Sequence, residues 1–192
     1  LVRALLADAA LSGAFVPVFS DLLEKGERKR AWRVASTIFW LVLLVLGGLT
    51  ALFILIAPLL IRPFGDPGGD FDLAVGLSRV LFPIVVLLGI TGLFVGMLNS
   101  FDHFEIPAIA PLFWNLVIIA SIIGLVPLFP EDEQIYAYAI GVLLGTIVQM
   151  LMPLPLLKKK AAGERFGRSF NLRDPNIKRV LLLMLPVTIA LG

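Results

Sequence analysis

The sequence predicts an all-α, polytopic membrane protein, and three observations carry that reading. The chain is 59% hydrophobic with a mean hydropathy of +0.98, well above the roughly half-apolar usage of soluble domains. Its apolar runs recur at lengths near the ~20 residues that a helix needs to cross a bilayer. Between them lie short stretches rich in charge, proline or glycine. The absence of cysteine excludes a disulfide framework, a thiolate metal site and a cysteine nucleophile.

Taken in order, residues 1–23 are apolar but carry Arg3, Asp8, Ser12, Pro17 and Ser20, the pattern of a helix with polar groups along one side. Asp8 and Ser12 are four residues apart and share a face. Arg3 lies five before Asp8, about 140° round the helix, so the two can border one cavity without forming an ideal ion pair. The basic stretch Glu24 to Arg33 follows, reading as a solvated loop, and then the 28-residue apolar run Val34 to Ile61. Arg62 to Asp70 is a loop by its prolines and glycines.

The central element is an antiparallel pair of spans at 73–98 and 107–129, joined by the elbow Asn99 to Glu105. Gly89, Gly92 and Gly96 share a face at three- and four-residue spacing, which lets a neighbouring backbone approach. Pro83 and Pro111 each remove a backbone donor and predict bent helices. The acidic loop at 130–134 leads to a span at 135–157 with Gly141, Gly145 and Gln149, then to the basic stretch Lys158 to Arg179 and a last apolar run from Val180. There is no internal repeat or low-complexity linker, so residues 1–192 read as one helical bundle. The missing initiator methionine and the short last run read as cut ends, with partial spans at 1–23 and 180–192.

Orientation follows from the basic residues. The stretches 24–33 and 158–179 hold thirteen of the sixteen Lys and Arg, whereas 62–72 holds one and 130–134 none. The positive-inside rule places the two basic stretches and the elbow in the cytoplasm. Anionic lipid headgroups suffice to explain the basic loops, and no nucleic-acid partner is needed.

Catalytic chemistry is sparse. Asp102, His103 and Glu105 lie in one aqueous elbow, but the chain has no second histidine, so the sequence predicts no metal and no cofactor. No Ser/His/Asp set or phosphate-cradling glycine loop is present, which disfavours an enzyme. The informative residues are polar groups within apolar runs, namely Arg3, Asp8, Arg79, Asn99, Asn115 and Gln149, because ionisable or polar groups at membrane depth pair, snorkel or face a water-filled pathway. For Arg79 snorkelling is the plain alternative. For Asn99 and Asn115 it is capping or interhelical hydrogen bonding.

Two ordered motifs carry a family resemblance. Arg79-x-x-Phe82-Pro83, Gly96-x-Leu98-Asn99, Phe104-x-x-Pro107-Ala108-x-x-Pro111 and Asn115 form one; Arg3, Leu6-Ala7-Asp8 and Ala10-x-Ser12-x-Ala14-Phe15-Val16-Pro17-Val18 form the other. Together they resemble the MurJ/MviN family of lipid II flippases, over essentially the whole chain. The resemblance implies part of a two-lobed, MATE-like transporter bundle of the multidrug/oligosaccharidyl-lipid/polysaccharide exporter type in the bacterial inner membrane. It also implies lipid II as substrate and cell-wall synthesis proteins as partners, and it matches Arg3 to a cavity arginine that binds the pyrophosphate. Guanidinium stays charged and makes bidentate bonds to phosphate oxygens. Arg3, Asp8, Ser12, Asn99 and Asn115 are the candidate substrate-binding residues. The chain departs from the family pattern at Ala9, Ile84 and His103. The alternatives are a flippase for another polyprenyl-linked glycan, a drug/cation antiporter of the same fold, or a non-transporting scaffold of wall synthesis.

The charge asymmetry makes a direct prediction. In the intact protein, cysteines placed at Ser169 and at Gly68 should label from opposite sides of the membrane, with Gly68 outside. Impermeant-thiol labelling of both from one side would overturn the orientation.

Overall fold

The computed structural model describes residues 2–62, 71–161, 163–164, 166–167 and 170–191, with side chains described from residue 13 to residue 184 within those segments. The predicted loop residues 63–70 lie outside them. The described residues contain no strand. They form α1 (Val2–Glu24), α2 (Arg28–Ile61), α3 (Phe71–Leu81), α4 (Pro83–Asn99), α5 (Glu105–Leu125, extended by a 3₁₀ turn at Val126–Leu128), α6 (Ile135–Leu151), α7 (Leu154–Ala161) and α8 (Pro175–Leu191). Among the described residues, four continuous stretches are long and apolar enough to cross a membrane: Arg28–Ile61, Phe71–Asn99, Glu105–Leu128 and Ile135–Ala161.

Several boundaries differ from the sequence expectation, each for a local reason. Helix α2 starts at Arg28, one and a half turns before its apolar run, because Ala31 and Trp32 are already buried; their burial carries helix into the basic stretch. The central span is two helices. Pro83 opens α4 and has no N–H for the Arg79 carbonyl, yet Phe82 keeps helical dihedrals, so α3 and α4 abut. Pro153 divides α6 from α7 in the same way, and α7 takes Lys158–Lys160 into a helix.

The elbow between α4 and α5 is a compact C-terminal stop. His103 N–H donates to the Leu98 carbonyl at 3.1 Å and Asp102 N–H to the Asn99 carbonyl at 3.1 Å. Asp102 has φ 58°, the left-handed geometry that commonly ends a helix and that aspartate tolerates better than most residues.

Packing divides into two zones. At the basic end, rings from five segments interlock. Phe15 stacks on Phe19 at 5.1 Å between centroids, and Phe19 meets Trp32 at 6.2 Å and Phe101 of the elbow at 5.9 Å. Phe166, beyond α7, contacts Trp32 at 6.1 Å, Phe39 at 5.3 Å and Phe94 at 5.9 Å. The second zone is the α5–α6 pair, where glycines set the approach. A Cβ on Gly141 would stand 2.9 Å from the Ser121 Cβ, and one on Gly145 would stand 2.9 Å from the Trp114 ring and 3.0 Å from its carbonyl. Trp114 Nε1 donates to Thr146 Oγ1 at 3.2 Å, and that hydroxyl donates to the Val142 carbonyl at 2.8 Å, so the seam satisfies its own polar atoms. Leu44, Leu55 and Leu59 of α2 and Leu112, Leu116 and Ile123 of α5 point outward, a surface suited to lipid rather than water.

Arg79 has a structural partner. Pro58 lies inside α2 and has no N–H for the Ile54 carbonyl four residues earlier; Arg79 Nε of α3 donates to that carbonyl at 3.4 Å. Arg79→Gln should therefore destabilise the protein by about 1 kcal/mol, and should cost little in a Pro58→Ala background, where residue 58 supplies the missing donor. A double-mutant cycle on thermal unfolding in detergent checks this, and equal losses in both backgrounds would refute the coupling.

Candidate functional site

The first three turns of α1 carry Arg3, Asp8 and Ser12, whose side chains lie outside the described ones. The described turns of the same helix have two faces. Ala14, Phe15, Val18, Phe19 and Leu22 are buried, and α1 packs on α4, α8 and α2. Gly13 and Pro17, one turn apart, are exposed. Pro17 offers no N–H to the Gly13 carbonyl, and a Cβ on Gly13 would meet nothing within 4 Å. That stripe therefore presents small side chains and a freed carbonyl on an open face.

The other two candidates are separate from this helix face. Asn99 is the last residue of α4, and its Oδ1 is buried without a partner, as is Nε2 of His103 in the adjoining elbow. His103 Nδ1 lies 3.5 Å from Glu105 Oε2. Asn115 is exposed on α5, which packs chiefly on α6, and its Nδ2 donates to the Pro111 carbonyl of its own helix at 2.8 Å. Its observed bond is thus intrahelical back-bonding. Gln149 is half-buried on α6. Among the described residues no group of three or more His, Cys, Asp or Glu side chains forms a metal-binding cluster.

The feature that the sequence reading missed is a strap over the basic end. The segment after α7 folds back on α2 instead of lying free in solvent. Trp40 Nε1 donates to the Gly167 carbonyl at 2.7 Å, Gly167 N–H donates to Ser36 Oγ at 2.9 Å, and Asn171 N–H donates to Thr37 Oγ1 at 3.2 Å. Both hydroxyls complete their bonding by donating to α2 carbonyls, Trp32 at 2.8 Å and Arg33 at 2.9 Å. Arg28 donates to the Lys160 carbonyl. The available signal was the cluster Ser36, Thr37 and Trp40 near the start of an otherwise apolar run.

The strap ends by starting α8. Asp174 Oδ1 accepts from Asn176 N–H at 2.9 Å, the Asp174 carbonyl accepts from Ile177 N–H at 3.0 Å, and Arg30 Nε lies 3.4 Å from Asp174 Oδ2. Arg179, in the first turns of α8, lies 3.4 Å from Asp21 near the end of α1, and Asp21 also pairs with Lys25 at 2.9 Å. Ile177 and Val180 are buried. The end of α1 is thus fastened to the beginning of α8, and the two helices run antiparallel.

Partial burial pushes the Asp174 carboxyl up, but the Asn176 N–H and the Arg30 guanidinium outweigh it and hold its pKa below the ordinary carboxylate value. A carboxylate depressed in the folded state contributes stability above its unfolded pKa and loses it as pH falls through the folded value. Stability should therefore decline on acidification below the ordinary aspartate range, and Asp174→Asn should flatten that decline. Thermal unfolding against pH checks it, and an unchanged acid limb in the variant would remove Asp174 from the account.

Comparison with known proteins places this arrangement. The family model described as "Lipid II flippase MurJ" matches residues 1–192. The chain is similar to a "Probable lipid II flippase MurJ" of Rhizobium tropici, at 34% identity over 100% of the chain and 37% of that protein. It is similar to the "Lipid II flippase MurJ" of Burkholderia cenocepacia at 33% identity, over 100% of the chain and 38% of that protein. A probable lipid II flippase MurJ of Vibrio cholerae is 32% identical over 96% of the chain and 37% of its own length. The chain thus spans well under half the length of these curated relatives. With a family match along its whole length, the chain belongs to the lipid II flippase MurJ family.

Proposed function

We propose that the chain forms part of a flippase that carries lipid II from the inner to the outer leaflet of the bacterial cytoplasmic membrane. The single observation that carries this reading is the family match along all 192 residues, which includes the two motifs that run from Arg3 to Val18 and from Arg79 to Asn115. The work is transport without covalent chemistry, so the protein is not an enzyme.

In this reading Arg3, Asp8 and Ser12 line a cationic cavity along α1, and Arg3 holds the pyrophosphate of the lipid-linked precursor. Its planar fork can bond two phosphate oxygens at once, and its charge persists at membrane depth. The open Gly13–Pro17 stripe on the same helix supports a cavity there, since a freed carbonyl in a span is tolerated where water or protein can reach it. Asn99 and Asn115 would act as secondary polar contacts on the route. Two lobes rocking about the cavity would expose it to each side in turn, while the polyprenyl tail stays in the bilayer.

In the intact protein, Arg3→Ala should abolish lipid II translocation at near-normal abundance, and Arg3→Lys should rescue it only in part. The measurement is complementation of a flippase-depleted cell together with a translocation assay. Full activity of the alanine variant at normal abundance would remove Arg3 from the site.

A further inference from the structure

The three buried side-chain atoms without a hydrogen-bond partner among the described residues gather at one junction. Trp32 is 2% exposed, and its Nε1 is buried with no acceptor; Asn99 Oδ1 and His103 Nε2 belong to the elbow between α4 and α5. An indole N–H normally finds an acceptor when buried, so the docked arrangement carries a cost that a rearrangement would relieve. The Trp32 ring is also where the elbow and the strap meet. It stacks on Phe101 of the elbow, with centroids 6.4 Å apart and planes 29° apart, and meets Phe166 of the strap edge-on at 6.1 Å. Beside it lies an apolar cavity of about 370 Å³, walled also by Phe94, Met97, Leu157 and Phe166, so these rings have space to move into.

We propose that the elbow and the strap dock on α2 as one cooperative unit with Trp32 as its joint, so that neither lets go without loosening the other. Among the described ring contacts, Phe166 and Phe101 are linked through Trp32. Withdrawal of Phe166 removes one wall of the indole and frees the ring to tilt toward the cavity. Its N–H then gains a partner, and Phe101 loses the ring it stacks on. The reverse sequence starts at Phe101, and the coupling has the same size in both directions by thermodynamic necessity. The strap leads into α8 and the elbow into α5, so a displacement at the base of α8 is passed to the start of α5. The device involves none of the candidate substrate residues of α1, rests on packing alone and is independent of the transport reading.

The test is amide hydrogen exchange on the intact protein in detergent. It is read in the strap at Gly167 and Asn171, whose N–H groups bond Ser36 and Thr37, and in the elbow at Asp102 and His103, whose N–H groups bond Asn99 and Leu98. Phe166→Ala should speed exchange at all four amides by about tenfold or more, and Phe101→Ala should do the same, while the amides around Thr146 in the α5–α6 seam stay unchanged. Leucine replaces alanine at either position if the alanine variant does not accumulate. Replacing Trp32 by its benzothiophene isostere, which keeps the bicyclic ring and carries sulfur in place of the N–H, should slow exchange at all four by about fivefold, because docking no longer buries an unanswered donor. Acceleration confined to the side that carries the substitution would overturn the proposal. So would equal acceleration around Thr146, which would mean loosening of the whole bundle, or exchange that the isostere leaves unchanged or makes faster.

Discussion

Phe166 is the side chain on which the arrangement of the basic end turns. It follows α7 in a segment that would otherwise be an extended basic linker, and it meets the rings of Trp32, Phe39 and Phe94. Well-placed aromatic pairs contribute about 0.5–1.5 kcal/mol each beyond area burial, so the three add to the burial of the ring in offsetting the entropy of ordering the segment. With Phe166 in place, the hydrogen bonds of Gly167 and Asn171 to α2 follow, Asp174 reaches Arg30, and α8 starts where it can dock on α1. Exposed pairs such as Arg30–Glu27 contribute little by themselves.

Elsewhere the governing constraint is the scarcity of hydrogen-bond partners in a hydrocarbon surrounding. Each internal proline leaves one carbonyl without its helical donor, and the chain answers differently at each. Arg79 reaches across to the carbonyl that Pro58 leaves open. On α1, Pro17 leaves the Gly13 carbonyl on an open face. Within α5, Pro111 leaves the Pro107 carbonyl open, while Asn115 adds a second donor to the Pro111 carbonyl without leaving its own helix. Hydroxyls behave alike: Ser78 and Thr91 each bond the carbonyl four residues back. Polar residues in apolar runs are thus resolved locally in most of the described chain; the buried atoms left without a partner are Asn99 Oδ1 at the end of α4, His103 Nε2 in the elbow and Trp32 Nε1 in the first turns of α2.

The helical fold was legible because hydropathy and length act directly on a span: a run that must bury its backbone in lipid has helix as its available form. The breaks at Pro83 and Pro153 were less so. A proline signals a lost donor but does not say whether the helix bends, stops or abuts another, and that depends on neighbours. The strap was barely legible, since Lys158 to Arg179 has the composition of a solvated loop and the signal for its docking, the cluster Ser36, Thr37 and Trp40, lies on α2 far away in sequence. Of the candidate substrate residues, Asn115 illustrates the limit from the other side. A polar residue in an apolar run reads the same whether it serves a pathway or its own backbone, and the back-bond of Asn115 uses only one of its amide N–H groups.

Among the described side chains, the contacts that fasten α1 to α8 lie at one end of the pair, and this has a mechanical consequence. The Asp21–Arg179 contact and the buried Ile177 and Val180 act at the base of both helices, so the pair resembles two rods hinged at a common fulcrum. Helix α1 has 23 residues, about 35 Å of lever arm at 1.5 Å per residue, so a rotation of roughly 10° at the fulcrum would sweep its far tip through about 6 Å. The turns that carry Arg3 and Asp8 sit toward that tip, where a small angular change at the fastened end becomes the largest displacement.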